Sequence, residues 1–175
     1  IGESRPEAGD RVEALHKLIC RNQPKFARMS LISGEVAKVS LNAYITMKIT
    51  FANVLGNLCE RIPGSDVDAI TNAIGADKRI SPYYLRAGLA FGGTCFPRDT
   101  KAFMTISRQF GLDPSLIEAV EDVNVDQNKR LANFVRSRLG TEKKVSVLGL
   151  AFKEKTAVIE ESPAIHLLQE LVIED

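Results

Sequence analysis

The stretch GEVAKVSLNAYITMKITFANVLGNLCER, residues 34–61, decides the fold. No proline interrupts it, and its apolar residues keep a helical spacing. Val36, Ala43, Met47, Val54 and Leu58 fall on one stripe, Ile45 and Ile49 on another. A helix apolar on two stripes is expected to be buried on most sides. Ser33 is the expected N-cap, Glu35 suits the first turn, and Pro63-Gly64 is the stop. The spacing predicts one long helix over 34–61.

Outward from this helix the reading stays mostly helical. Ser65 is the expected cap of a shorter helix carrying Val67, Ile70 and Ile74, closed by Gly75. Residues 76–98 lack a sustained period and are rich in Gly, Pro and aromatics, which predicts an ordered loop. Asp99 is read as the cap of a helix that buries Ala102, Phe103, Ile106 and Phe110 and ends at Gly111. Asp113-Pro114 opens a further helical stretch to Gly140, with a break expected near Asn124. The run Lys144-Val-Ser-Val-Leu-Gly-Leu150 then reads as a buried strand, followed by a loop and a helix from about Ser162. Upstream, Ile1-Gly2 reads as a strand end, and Val12, Leu15, Leu18 and Ile19 predict a helix over 11–21. The fold class is therefore mainly α: a helical domain with a strand–loop–helix stub of α/β structure at its C-terminal end.

Composition narrows the function. The 175 residues carry a net charge of +1, so nothing points to nucleic acid or an acidic membrane surface as partner. No apolar run approaches the roughly 20 residues of a membrane span. Cys20, Cys59 and Cys95 form neither a disulfide framework nor a zinc motif, which fits reduced thiols in the cytoplasm. The first residues, Ile-Gly-Glu-Ser, show no initiator Met and no signal pattern, so an excised segment of a longer protein is expected.

The stretch richest in chemistry is Phe91-Gly-Gly-Thr-Cys95-Phe-Pro-Arg-Asp99. Two glycines let the backbone approach a ligand and take positive φ. A thiol follows at the start of a helix, where backbone N–H groups and the helix dipole favour the thiolate, with Arg98 adding to the effect. The other reading of Cys95 is a buried structural cysteine. Asp99 is either a cap alone or also a base beside the nucleophile. Lys38 and Asn42, four residues apart, share a helix face that continues as Ile45 and Ile49. Either they are satisfied structurally, with the lysine snorkelling, or they line a polar pocket suited to a developing oxyanion. Arg79, Tyr83, Tyr84 and Arg86 are either ordinary surface residues or a phosphate- and sugar-binding cluster. His16 and His166 have no paired ligand or base in the sequence. No GxGxxG and no Walker motif occurs, so the chain cannot hold a whole dinucleotide in the usual way.

Taken together, these residues resemble the UDP-glucose/GDP-mannose dehydrogenase family. The resemblance runs through Glu35-Val-Ala-Lys38-Val-Ser-Leu-Asn42, Ala73-Ile-Gly-Ala-Asp-Lys-Arg79-Ile, the glycine–cysteine motif, Val147-Leu-Gly-Leu-Ala-Phe-Lys153 and Glu161-Ser-Pro163. It implies three parts: residues 1–32 as the tail of an NAD-binding domain, 33–140 as a central helical dimerisation and catalytic domain, and 141–175 as the start of a UDP-binding α/β domain. It implies a nucleotide-sugar substrate, NAD as cofactor, a homodimer through the long helix, and oxidation of a sugar C6 alcohol to a carboxylate. In that scheme Cys95 traps the aldehyde as a thiohemiacetal, which is oxidised to a thioester and hydrolysed. Lys38 and Asn42 stabilise the oxygen anion, and Asp99 assists proton transfer. Arg79, Arg86, Phe91, Gly92, Phe152 and Lys153 are implied to bind substrate, Arg79 that of the neighbouring subunit, and Cys95 and Arg98 to face NAD.

One segment departs from the family pattern. After Lys153 the expected acidic pair is replaced by Ala157 and Val158, and the expected arginine by Glu160, a carboxylate that repels pyrophosphate. Cofactor binding is altered, or the segment has been changed, or the match shifts there. The readings in play are a UDP-hexose dehydrogenase, UDP-glucose foremost; a GDP-mannose dehydrogenase; and a non-catalytic dimerisation module or degenerate homologue. The 175 residues alone are expected to be inactive.

Overall fold

A computed structural model describes residues 1–139 and 144–172. Among the described residues the chain is mainly helical, with six helices and two short strands. It divides into two compact units, Ile1–Leu41 and Asn42–Asp175.

In the first unit, β1 (Gly2–Glu3) pairs in parallel with β2 (Met29–Ser30), Gly2 opposite Met29 and Glu3 opposite Ser30. Between them lies α1 (Pro6–Ile19), which begins five residues before the expected start. Pro6 explains the difference: in a first turn its missing N–H costs nothing and its fixed φ suits the helix. Arg28 ties the unit together. Its guanidinium donates to Glu3 Oε2 (2.6 Å), Asp10 Oδ1 (2.9 Å), Glu13 Oε2 (3.2 Å) and the Pro6 carbonyl (2.7 Å).

The long helix is present as α2 (Leu31–Cys59) and runs across the division between the units. Its start corrects the expected cap. Ser30, not Ser33, lies at the entry, its Oγ accepting from the Ser33 N–H at 3.2 Å. The expected burial on most sides also fails. Val36, Val54 and Leu58 of the first stripe are exposed, as are Tyr44 and Phe51, and of the residues on the two stripes only Ala43 is buried.

In the second unit, α3 (Val67–Gly75) is capped by Asp66, whose carboxylate accepts from the N–H groups of Asp68 and Ala69. Ser65 is not the cap; its hydroxyl donates back to the carbonyls of Cys59 and Ile62. The expected loop follows, with Ser81 and Tyr84 at positive φ. Lys48 of α2 donates to the carbonyls of Ile80 and Ser81, both at 2.9 Å, and so fastens the end of the 77–81 turn. Next comes α4 (Phe96–Gln109), ending near Gly111 at φ 72. It is followed by α5 (Ser115–Arg138), which packs on α4 and on α6 (Pro163–Val172). No break occurs at Asn124. Its amide bonds sideways to the backbone of Phe91 and leaves its own helix intact. The expected end at Gly140 lies outside the described residues.

The predicted strand over 144–150 is absent. Leu148 is 95% exposed, and Val145 and Leu150 are exposed as well. A strand-like run becomes a strand only beside an edge that takes its N–H and C=O groups. No described residue of this unit offers such an edge. The helix expected from Ser162 is present.

Candidate active site

Cys95 occupies the N-cap of α4, with Pro97 in the first turn, and its sulfur is exposed. The buried structural alternative is thereby removed. Thr94 Oγ1 lies 3.7 Å from Cys95 Sγ. Asp99 is not the cap. It sits one turn in, its N–H donating to the Cys95 carbonyl at 2.9 Å, and it is 4% exposed.

Asp99 is instead the junction of two elements. Asn42 Nδ2 donates to Asp99 Oδ2 at 2.6 Å, a buried bond across 57 residues of sequence. Arg98 Nε donates to Asp99 Oδ1 at 3.0 Å and its Nη2 lies 3.0 Å from the same oxygen, although the side chain as a whole is exposed. Asn42, Arg98 and Asp99 therefore meet in the first turn of the helix that Cys95 opens. Lys38, exposed, stands four residues before Asn42 on the same helix, in the first unit.

Gly93 takes the expected positive φ, and both glycines of the motif are approached closely by the protein itself. A Cβ on Gly92 would fall 1.9 Å from the Glu161 carbonyl oxygen, and one on Gly93, at φ +81, 2.5 Å from the Phe152 ring. Their missing side chains make room for the 152–161 segment of the protein itself. Gly93 N–H also donates to the Glu161 carbonyl at 3.4 Å. Phe152 is thus seated beside the cysteine loop, and Lys153 lies over its ring, 5.3 Å from the centroid.

Arg79 is held by Asp77: its Nε and Nη2 donate to the carboxylate at 3.0 and 2.6 Å, and its own N–H adds a third bond at 2.8 Å. These bonds, the side-chain ones first, hold the Asp77 carboxyl below the usual range. Arg86 is exposed. Phe91 is buried and packs edge-on to Phe96, which meets Tyr84 the same way.

Sequence reasoning missed the amides that carry this loop. Asn124 accepts from the Phe91 N–H (2.8 Å) and donates to the Phe91 carbonyl (3.0 Å). Asn53 accepts from the Gly88 N–H (2.8 Å) and donates to the Leu89 carbonyl (3.1 Å). Gln127 donates to the Gly88 carbonyl (2.9 Å) and accepts from Asn57 (3.0 Å). The available signal was polar amides at inward positions of amphipathic helices, which need partners when buried.

No helix among the described residues is long and apolar enough to cross a membrane. Residues 33–126 match the model of the UDP-glucose/GDP-mannose dehydrogenase family, central domain. The chain is 37% identical over 173 residues to the UDP-glucose 6-dehydrogenase TuaD of Bacillus subtilis, covering 96% of this chain and 36% of that protein. It is 40% identical over 150 residues to the UDP-glucose 6-dehydrogenase AglM of Haloferax volcanii, covering 85% and 35%. The structure of a UDP-glucose dehydrogenase from the archaeon Pyrobaculum islandicum superposes with a TM-score of 0.84 at 36% identity, covering 97% of this chain and 39% of that one. The chain thus spans little more than a third of the length of these relatives. With its cysteine loop and long helix in place and the match extending over more than half its length, the chain belongs to the UDP-glucose/GDP-mannose dehydrogenase family.

Proposed function

We propose that this chain is the central part of an NAD-dependent UDP-glucose 6-dehydrogenase of the cytoplasm, with residues 1–32 and 141–175 belonging to its NAD-binding and UDP-binding domains. The observation that carries the reading is an exposed Cys95 at the start of α4, one turn before a buried Asp99 that grips Asn42.

NAD, when bound, supplies the acceptor for the electrons that leave the sugar carbon. Cys95 and Arg98, exposed together at the end of α4, fit the near edge of such a cofactor. Cys95 adds its sulfur to the C6 aldehyde carbon, and the carbonyl oxygen takes up the electron pair. Asn42 has two amide protons; one lies on Asp99, and the other serves that oxygen together with the Lys38 ammonium. Because Asp99 fixes the amide, the donor is oriented before substrate arrives. Asp99 is also assigned the proton transfer for hydrolysis of the acyl-cysteine. Arg79, Arg86, Phe91, Gly92, Phe152 and Lys153 are assigned to the nucleotide sugar.

The same reading includes a homodimer through α2. Tyr44, Met47, Phe51, Val54 and Leu58 keep a heptad spacing, and four of the five are exposed. Beside them lies an apolar hollow of 590 Å³ between α2 and the end of α3, lined by Tyr44, Phe51, Ile74, Ile80 and Leu85. A second copy of the helix is the proposed occupant.

The test uses the full-length enzyme that carries this sequence. It is expected to reduce two NAD per UDP-glucose consumed, and Cys95→Ala is expected to abolish net turnover. Preference for GDP-mannose, or activity that survives loss of the thiol, overturns the assignment. A reading in which NAD affinity has been lost rests on Glu160, an exposed carboxylate; failure to bind NAD in a calorimetric titration would favour it.

A further inference from the structure

The 88–91 segment precedes the cysteine motif and is shaped by side chains, not by secondary structure. It belongs to no helix or strand, yet five of its backbone polar groups are bonded by buried or half-buried amides of two helices. Asn124 of α5 takes the N–H and C=O of Phe91, as a β-strand neighbour would. Asn53 of α2 takes the N–H of Gly88 and the C=O of Leu89, and Gln127 of α5 takes the C=O of Gly88. Asn124 and Gln127 lie three residues apart on one face of α5. Asn57 in turn fixes Gln127, so the set is closed. Two of the three gripping amides are bidentate, and a bidentate amide fixes the direction of a backbone as well as its distance.

We propose that Asn124, Gln127 and Asn53 are positioning residues for the nucleotide sugar: their amides set the backbone course of residues 88–91, and through it the seat of the sugar ahead of Cys95. This rests on the assignment of Arg86, Phe91 and Gly92, which flank or end that segment, to the nucleotide sugar. None of the three is required to touch the substrate. The backbone groups of Ala90, between the two grips, take part in none of these bonds. The clamp holds the segment by its ends and leaves its middle to the ligand.

The conservative variants are Asn124→Asp, which keeps the acceptor for the Phe91 N–H and sets a carboxylate against the Phe91 carbonyl, and Gln127→Met, which keeps the length and removes the donor. Ala132→Gly is the control: Ala132 is fully buried on the same helix and forms none of these bonds. In the full-length enzyme, calorimetry should show UDP-glucose bound about tenfold more weakly by Asn124→Asp, a loss of the size a misplaced positioning group produces. NAD affinity should be unchanged, and a control of equal thermal stability should bind both ligands normally. Unchanged UDP-glucose affinity in both variants, or sugar and NAD affinities that fall together in the variants and in the control alike, overturns the proposal. Hydrogen exchange at the Gly88 and Phe91 amides, measured without ligand, reads the clamp itself. Protection should drop in the variants, and unchanged protection overturns the clamp whatever the ligand results. Should exchange accelerate as expected while the parent protein binds no nucleotide sugar, the dehydrogenase reading is the part that fails.

Discussion

Asn42 Nδ2 stands 2.6 Å from Asp99 Oδ2, so the middle of α2 and the first turn of α4 share one buried hydrogen bond. The bond is short, joins a neutral donor to a carboxylate, and lies one helical turn after the candidate nucleophile in the chain. On the proposed mechanism, structure and chemistry depend on the same pair of residues.

Substitution at Asp99 should separate the two. Asp99→Ala leaves the Asn42 amide buried without its acceptor and should cost about 1–3 kcal/mol of unfolding free energy in urea titration. Asp99→Asn can still present an oxygen to Asn42, so its stability loss should be smaller. Both should lose most turnover if Asp99 moves a proton. An active Asp99→Asn enzyme would reduce the residue to a brace.

Gly92 and Gly93 should respond differently to the same test. Gly93→Ala meets the Phe152 ring and also places an L-residue at φ +81. Phe152→Ala should relieve the contact but not the backbone strain of about 1–2 kcal/mol, so the double variant recovers only part of the loss. Gly92→Ala meets the Glu161 carbonyl, which no trimmed side chain removes. Thermal melts of the two double-variant cycles check this; equal recovery in both would contradict the packing described.

Arg79 gives a dependence on pH. Its side-chain bonds lower the Asp77 carboxyl below the ordinary aspartate range. A folded value below the unfolded one means the interaction is complete above the unfolded value and is lost as pH falls through the folded one. The pair is exposed, so the effect on overall stability should be slight. In an NMR titration Asp77 should have a low midpoint, and Arg79→Gln should return it only part of the way, because the Arg79 N–H still donates. An ordinary midpoint in the parent would show that Arg79 is not held by Asp77 in solution.

Thr50 provides a prediction of the opposite sign. Its hydroxyl is buried and has no hydrogen-bond partner among the described residues. Thr50→Val exchanges that hydroxyl for a methyl of similar shape, so the protein should be unchanged or more stable by about 1 kcal/mol. A clear loss of stability in urea titration would reveal a partner for the hydroxyl.

The helices and the placing of Cys95 at a helix start were legible in the sequence because apolar spacing is local, although Asp99, read as the cap, lies one turn inside. Caps were less so: Ser33 and Ser65 have the right chemistry, but Ser30 and Asp66 have the right place in the chain path. Asn124 looked like a helix breaker because an asparagine's preference is local, whereas its partner Phe91 lies 33 residues away. The same holds for the glycines. Their freedom to approach something closely was visible at 92 and 93, but that the something is Phe152 and Glu161 depends on tertiary packing. The run at 144–150 has strand composition, and composition supplies no edge to bond to.

The lysine at position 48 has a mechanical consequence. A single ammonium joins the midsection of α2 to the carbonyls that close the turn bearing Arg79. The turn that carries the guanidinium is thereby tied to the helix at its far end. If a second copy seats along Tyr44 and Phe51, it presses on the helix one turn from the lysine that anchors the residue assigned to reach its partner's ligand.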